Sequence, residues 1–205
     1  MTKFSPTYGS GELYIYDQQL LDDAIGRVNQ DHYNVYIRDY FWIQGEADSS
    51  LPVSTYKDCF TEWNTAITSD STFYESMNNW TSGNYFKNCY ISLIPSQYAN
   101  SYQAQIDLAE TIDNVHISTK IANTFTIENG MLSSGDGVHY TQKGDNEIGK
   151  YLSSSAIASA PDKHPTTDSI EWKNTDDVAL YGLIIVIVLV IPIVFGIRYI
   201  TRDRD

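Results

Sequence analysis

A chain of 205 residues with a net charge of −13 has room for one globular domain of ordinary size, and its acidic surface repels nucleic acid. Its two cysteines, Cys59 and Cys89, stand at no metal-ligand spacing with histidine, so neither a metal centre nor a cofactor is indicated. Two cysteines leave open whether they pair outside the cytoplasm or remain buried thiols.

Residues 1 to 11 carry Pro6, Gly9 and Gly11 and read as an irregular lead-in without the apolar core of a secretory signal. From Leu13 the positions Leu20, Leu21, Ala24, Ile25 and Val28 recur at three- and four-residue spacing, which predicts an amphipathic helix over 13 to 28. Tyr33 to Ile43 is rich in tyrosine, valine and isoleucine and predicts a strand. That strand breaks at Gln44-Gly45-Glu46-Ala47-Asp48 into an amide, a glycine and two carboxylates, the pattern of a buried strand ending in a polar active-site loop.

Ser54 is the expected N-cap of a second helix through Tyr56, Phe60, Trp63 and Ile67. Residues 69 to 84 read as a polar loop in which Trp80 walls a site. A strand over Asn88 to Pro95, a helix over 98 to 113 and a short strand over Asn114 to Ser118 follow. Strands alternating with helices imply an α/β domain with a parallel sheet, and in such sheets ligands gather at the carboxyl ends of the strands.

Asp136-Gly-Val-His139 lies in the loop from Met131, ahead of a last helix that Thr141 caps and that carries Ile148, Tyr151 and Leu152. An aspartate and a histidine separated by a tight glycine turn allow the carboxylate to hold the imidazole Nδ1 hydrogen while Nε2 takes a proton. His32, His116 and His164 read as turn, packed and solvated histidines outside any site.

Trp42-x-Gln-Gly-Glu-x-Asp48, then Tyr56 and Trp63, then Asp136-Gly-Val-His-Tyr-Thr-x-x-Gly144 together resemble the sialate O-acetylesterase and carbohydrate-esterase branch of the SGNH hydrolases over residues 12 to 153. The resemblance implies a three-layer α/β/α sandwich of flavodoxin-like type. It makes His139 the general base and Asp136 its orienting acid, and puts Gln44 and Gly45 in the oxyanion-stabilising region. Glu46 and Asp48 would brace that loop, and Trp42 and Trp63 would be core. The family's serine, in a motif such as Gly-Gln-Ser-Asn or Gly-Asp-Ser after a first strand, has no counterpart here. Ser10, between two glycines, is the local candidate for the nucleophile, with Ser5 behind it.

Three readings follow: a split esterase whose first strand and serine come from a second polypeptide, a decayed esterase fold kept for glycan binding or for structure, or a longer chain. An acetylated glycan is the ligand the resemblance implies. Residues 154 to 177, with Pro161 and Pro165, have the composition of a linker or stalk. Val178 to Ile197 is an uncharged run of about twenty residues, long enough as a helix to cross a bilayer core of roughly 30 Å. The basic tail over 198 to 205 favours a cytoplasmic C-terminus and a domain on the outer face or on a virion or envelope.

Overall fold

In the computed structural model, residues 1–30, 39–69, 72–75, 77–80 and 85–158 are described. The expected membrane segment at 178–197, the tail, most of the linker and the first part of the expected strand from Tyr33 lie outside them. Among the described residues, no helix is long and apolar enough to cross a membrane.

Three strands form one parallel sheet in the order β1 (Asp39–Trp42), β2 (Asn88–Ser92), β3 (Val115–Thr119). Asp39 stands opposite Asn88 and Trp42 opposite Ile91; Cys89 stands opposite Val115. Parallel neighbours need crossovers, and these are made by α2 (Val53–Thr68) with the short α3 (Thr72–Glu75), and by α4 (Ala99–Thr111). The chain is therefore α/β, as the alternation of strands and helices predicts.

Side chains along a strand point alternately to opposite faces, and the two apolar cores follow that alternation. Tyr40, Trp42, Cys89, Ile91 and Val115 face a larger core shared with α1 (Glu12–Gln30), α2 and α4. Phe41 and Tyr90 face a smaller one that holds Ile148 and Leu152 of α5 (Gln142–Ala158). The larger core is built of aromatic edges. Phe4 meets Trp42 at 5.1 Å, Trp42 meets Phe60 at 5.2 Å, and Trp63 meets Phe73 at 5.5 Å, all edge to face. Each such pair contributes about 0.5–1.5 kcal/mol beyond the area it buries.

Several local expectations are corrected. Pro52, not Ser54, caps α2: its carbonyl accepts the Tyr56 N–H at 3.1 Å, and a proline's fixed φ suits a helix entry. The stretch after Ser69 is not simply a polar loop, because Phe73 and Tyr74 of α3 are buried and Trp80 stacks on Tyr74 at 4.7 Å. His116 packs its ring 5.5 Å from that of Tyr90 but is exposed on its other side, as β3 lies at the end of the described sheet. The last helix continues to Ala158, so the first residues of the expected linker form its final turns. The lead-in contains a 3-10 turn at Thr2–Phe4 that buries Met1, Phe4 and Ser5. Cys59 and Cys89 are both buried free thiols, and burial raises the pKa of each.

Candidate functional site

The carboxyl end of β1 turns sharply at Gly45, whose φ of 151° lies where a side chain is strained. Space forbids one as well: a Cβ at Gly45 would stand 2.9 Å from Ile94 Cδ1 and 3.2 Å from Gln105 Nε2. Only glycine meets both conditions, and the turn leads directly into a 3-10 turn at Glu46–Asp48.

A buried polar network fixes this turn. The Gln44 carbonyl accepts the Tyr56 hydroxyl at 2.9 Å and the Gln105 amide at 2.7 Å. Tyr56 in turn accepts Trp42 Nε1 at 3.1 Å and Gln105 Nε2 at 3.2 Å, while Gln105 Oε1 accepts the Ile94 N–H at 3.2 Å. Burial holds the Tyr56 hydroxyl well above its ordinary pKa, so it remains a donor. Strand end, α2, α4 and the end of β2 are thus joined through buried and half-buried polar groups.

The Gln44 side chain does not stand free as an oxyanion donor. Its amide donates to the Asp48 carboxylate, which also receives the Met1 amino group. One Gln44 N–H remains, together with the backbone N–H groups of Gly45 and Glu46, which have no acceptor among the described residues. Donors of this kind at the end of a buried strand are the groups that can face a developing oxyanion.

The second polar turn is held locally. Ser133 N–H donates to the His139 carbonyl at 2.7 Å, Leu132 pairs with Tyr140, and Gly137 takes the left-handed φ of 67° that closes the loop. Asp136 Oδ1 accepts the N–H groups of Val138 at 2.9 Å and His139 at 3.0 Å; Oδ2 lies 2.5 Å from His139 Nδ1. The two backbone N–H groups, followed by the imidazole, hold the Asp136 carboxyl down at a pKa of about 2. The acid is therefore ionised at any working pH, and a carboxylate on Nδ1 fixes the tautomer that leaves Nε2 as the basic nitrogen. That nitrogen has no hydrogen-bond partner among the described residues, and the ring is about half exposed at 51 %.

Thr141 caps α5 through its hydroxyl, which accepts the Gly144 N–H at 3.3 Å. Gly144 is required by close approach, because a Cβ there would lie 2.5 Å from the Met131 carbonyl oxygen. The helix thereby presses against the turn that carries His139.

Tyr140 brings the two turns together. Its hydroxyl donates to Glu46 Oε1 at 2.8 Å across 94 residues of sequence, the only hydrogen bond between the two turns among the described residues. The residues at 44–48 and at 136–139 thus belong to one end of the sheet. Neither candidate serine joins them by a hydrogen bond: Ser10 is exposed ahead of α1, and Ser5 is buried with its hydroxyl on Glu62.

No family model, curated protein or solved structure matches this chain. Its chemistry follows from its own side chains. Among the described residues no group of histidine, cysteine and carboxylate side chains could hold a metal ion.

Gln105 and the hydroxyl of Tyr140 play parts that sequence patterns did not single out. The signal for Gln105 is an amide standing in the otherwise small and apolar stripe of Ser101, Ala104 and Leu108. Tyr140 stands in the motif around His139, but nothing local pointed to its bond with Glu46, which is remote in sequence.

Proposed function

We propose that this chain carries the proton-transfer arm and the oxyanion-stabilising wall of a serine esterase resembling the carbohydrate O-acetylesterases of the SGNH group. On this reading its fold is part of a flavodoxin-like sandwich, its nucleophile comes from a second polypeptide, and its 178–197 segment anchors it to a membrane with the domain on the outer face. The observation that carries the reading is the Asp136–His139 hydrogen bond with Nε2 unpartnered, on the same end of the sheet as the Gly45 turn. The position of β1 at the end of the described sheet supports a further strand beside it.

The reaction is acyl transfer. A serine hydroxyl attacks the acetyl carbonyl of an acetylated sugar as His139 Nε2 takes its proton. Asp136 holds Nδ1–H and stabilises the imidazolium. The carbonyl oxygen, now negative, faces the N–H groups of Gly45 and Glu46. Collapse expels the sugar alkoxide, which receives the proton from His139, and water repeats the sequence to release acetate and free serine.

Hydrolysis of p-nitrophenyl acetate tests this. The full chain alone should give no rate above that of its His139→Ala variant. The same chain isolated with its partner should give a His139-dependent rate, and a fluorophosphonate should label the partner's serine. A His139-dependent rate from the chain alone would instead place the nucleophile within it, with Ser10→Ala the next variant. A partner complex that binds acetylated glycan without hydrolysing it would favour the competing reading, a non-catalytic glycan-binding or structural protein; the lack of any serine bonded to His139 among the described residues is what keeps that reading in play.

A further inference from the structure

We infer that Tyr140 is a positioning residue, whose hydrogen bond to Glu46 sets where His139 stands relative to the Gly45 turn. Its functional meaning rests on the esterase reading above, whereas its geometry does not.

The bonds of the Asp136–His139 turn refer almost entirely to that turn. They determine how the imidazole is oriented on Asp136, but they do not determine how far it stands from the end of β1. Tyr140 supplies the missing reference. It follows His139 in the chain, and its ring meets Phe125 edge to face at 5.7 Å against the smaller core. Gly144 lets α5 close over it, since a Cβ there would be 3.3 Å from Tyr140 Cβ. The ring is thereby anchored, and only the hydroxyl leaves the apolar surroundings.

That hydroxyl ends on Glu46, two residues beyond Gln44 in the turn that the Tyr56 and Gln105 network already fixes. A rigid path therefore runs from the smaller core through Tyr140 and Glu46 to the Gly45 turn. Burial, reinforced by the charge of Glu46, holds the tyrosine well above its ordinary pKa, so the donor is retained. A glutamine at position 46 keeps an acceptor oxygen, whereas an alanine does not. A phenylalanine at position 140 keeps the packed ring and loses only the donor. These differences separate the hydrogen bond from the packing around it.

The test measures position without turnover. Ala47 is exposed, so a spin label on Ala47→Cys in the full chain reports the distance from the Gly45 turn to the His139 ring, read as paramagnetic relaxation of its histidine signals. The unlabelled cysteines are buried. Tyr140→Phe and Glu46→Ala should each lower that relaxation about twofold or more, as the His139 turn, without its hydrogen bond to the Gly45 turn, stands farther from it on average. The double variant should fall no further, and Glu46→Gln should retain the original relaxation. Relaxation unchanged in Tyr140→Phe, or lost equally in Glu46→Gln, would overturn the inference. Should Tyr140→Phe fail to fold, Glu46→Ala against Glu46→Gln decides the matter alone. Because no substrate is used, the positioning role can fail while the esterase reading survives, and the reverse.

Discussion

The turn at Gln44–Gly45 is held by side chains from two helices, whereas the turn at Asp136–His139 is held by bonds within itself. The first is buried, and its polar groups reach partners on α2, α4 and the end of β2. The second is exposed, and its carboxylate is satisfied by two residues just ahead of it in the chain, Val138 and His139. A buried network ties a site to the stability of the fold. A local turn lets a reactive group stand in water with little dependence on the core.

The comparison breaks most sharply at Gly45. Gly45→Ala adds a methyl group where φ is 151° and where Ile94 and Gln105 leave no room. Backbone strain and overpacking together should cost about 3 kcal/mol. Urea denaturation should show a lower midpoint at unchanged slope, the sign of lost stability rather than an altered unfolded state. A variant as stable as the original would mean that the Gly45 turn is not locked by its neighbours.

How much of this was legible in the sequence depends on the distance over which each bond acts. The strand ends, the α1 stripe through Leu21 and Ile25, and the Asp136–His139 pair are local patterns, and the corresponding elements stand near their expected places. The cap at Pro52 differed because a serine's capping preference competed with a proline that already suits the helix entry. The burial of Phe73 and Tyr74 was hidden by polar neighbours, and depends on a core assembled from α1 and α2. Gln105 and Glu46–Tyr140 are contacts across long stretches of chain, which no short window contains. The sheet was therefore legible as periodicity, and the site only in those pieces that are close in sequence.

Asp17 sharpens the contrast by placing a carboxyl in the opposite environment from Asp136. It stands on the core-facing stripe of α1, buried, with one oxygen lacking any hydrogen-bond partner. Desolvation pushes its pKa up to about 7 from an ordinary 3.8. The folded state therefore holds this proton more tightly than the unfolded one. Stability is complete below the unfolded value and falls as pH rises towards 7, levelling off above it. Between pH 5 and 8 the loss should be about 3 kcal/mol. Asp17→Asn, which cannot ionise, should flatten that slope. A wild-type midpoint independent of pH over this range would show that water or a rearrangement reaches Asp17.

Asp136 should behave in the opposite sense, and with the smallest effect on folding. Its pKa of about 2 means that the carboxylate's contribution is present above the ordinary value of 3.8 and is lost as pH falls towards 2. Asp136→Asn keeps an oxygen for the Val138 and His139 N–H groups, so the turn and the thermal midpoint near neutral pH should be preserved. What changes is the atom facing Nδ1. An amide nitrogen is a donor, and a donor there favours the imidazole tautomer with Nδ1 unprotonated and the hydrogen on Nε2. Histidine nitrogen shifts should report that exchange of tautomer in His139 while the hydrogen-exchange protection of the Ser133 and Thr141 amides, which donate to the His139 and Met131 carbonyls, stays as it was. The base would then be lost with its scaffold intact, which a locally wired turn permits and a buried network does not. Loss of the Ser133 and Thr141 protection in this variant would instead show that the charge of Asp136 builds the turn as well as orienting the ring.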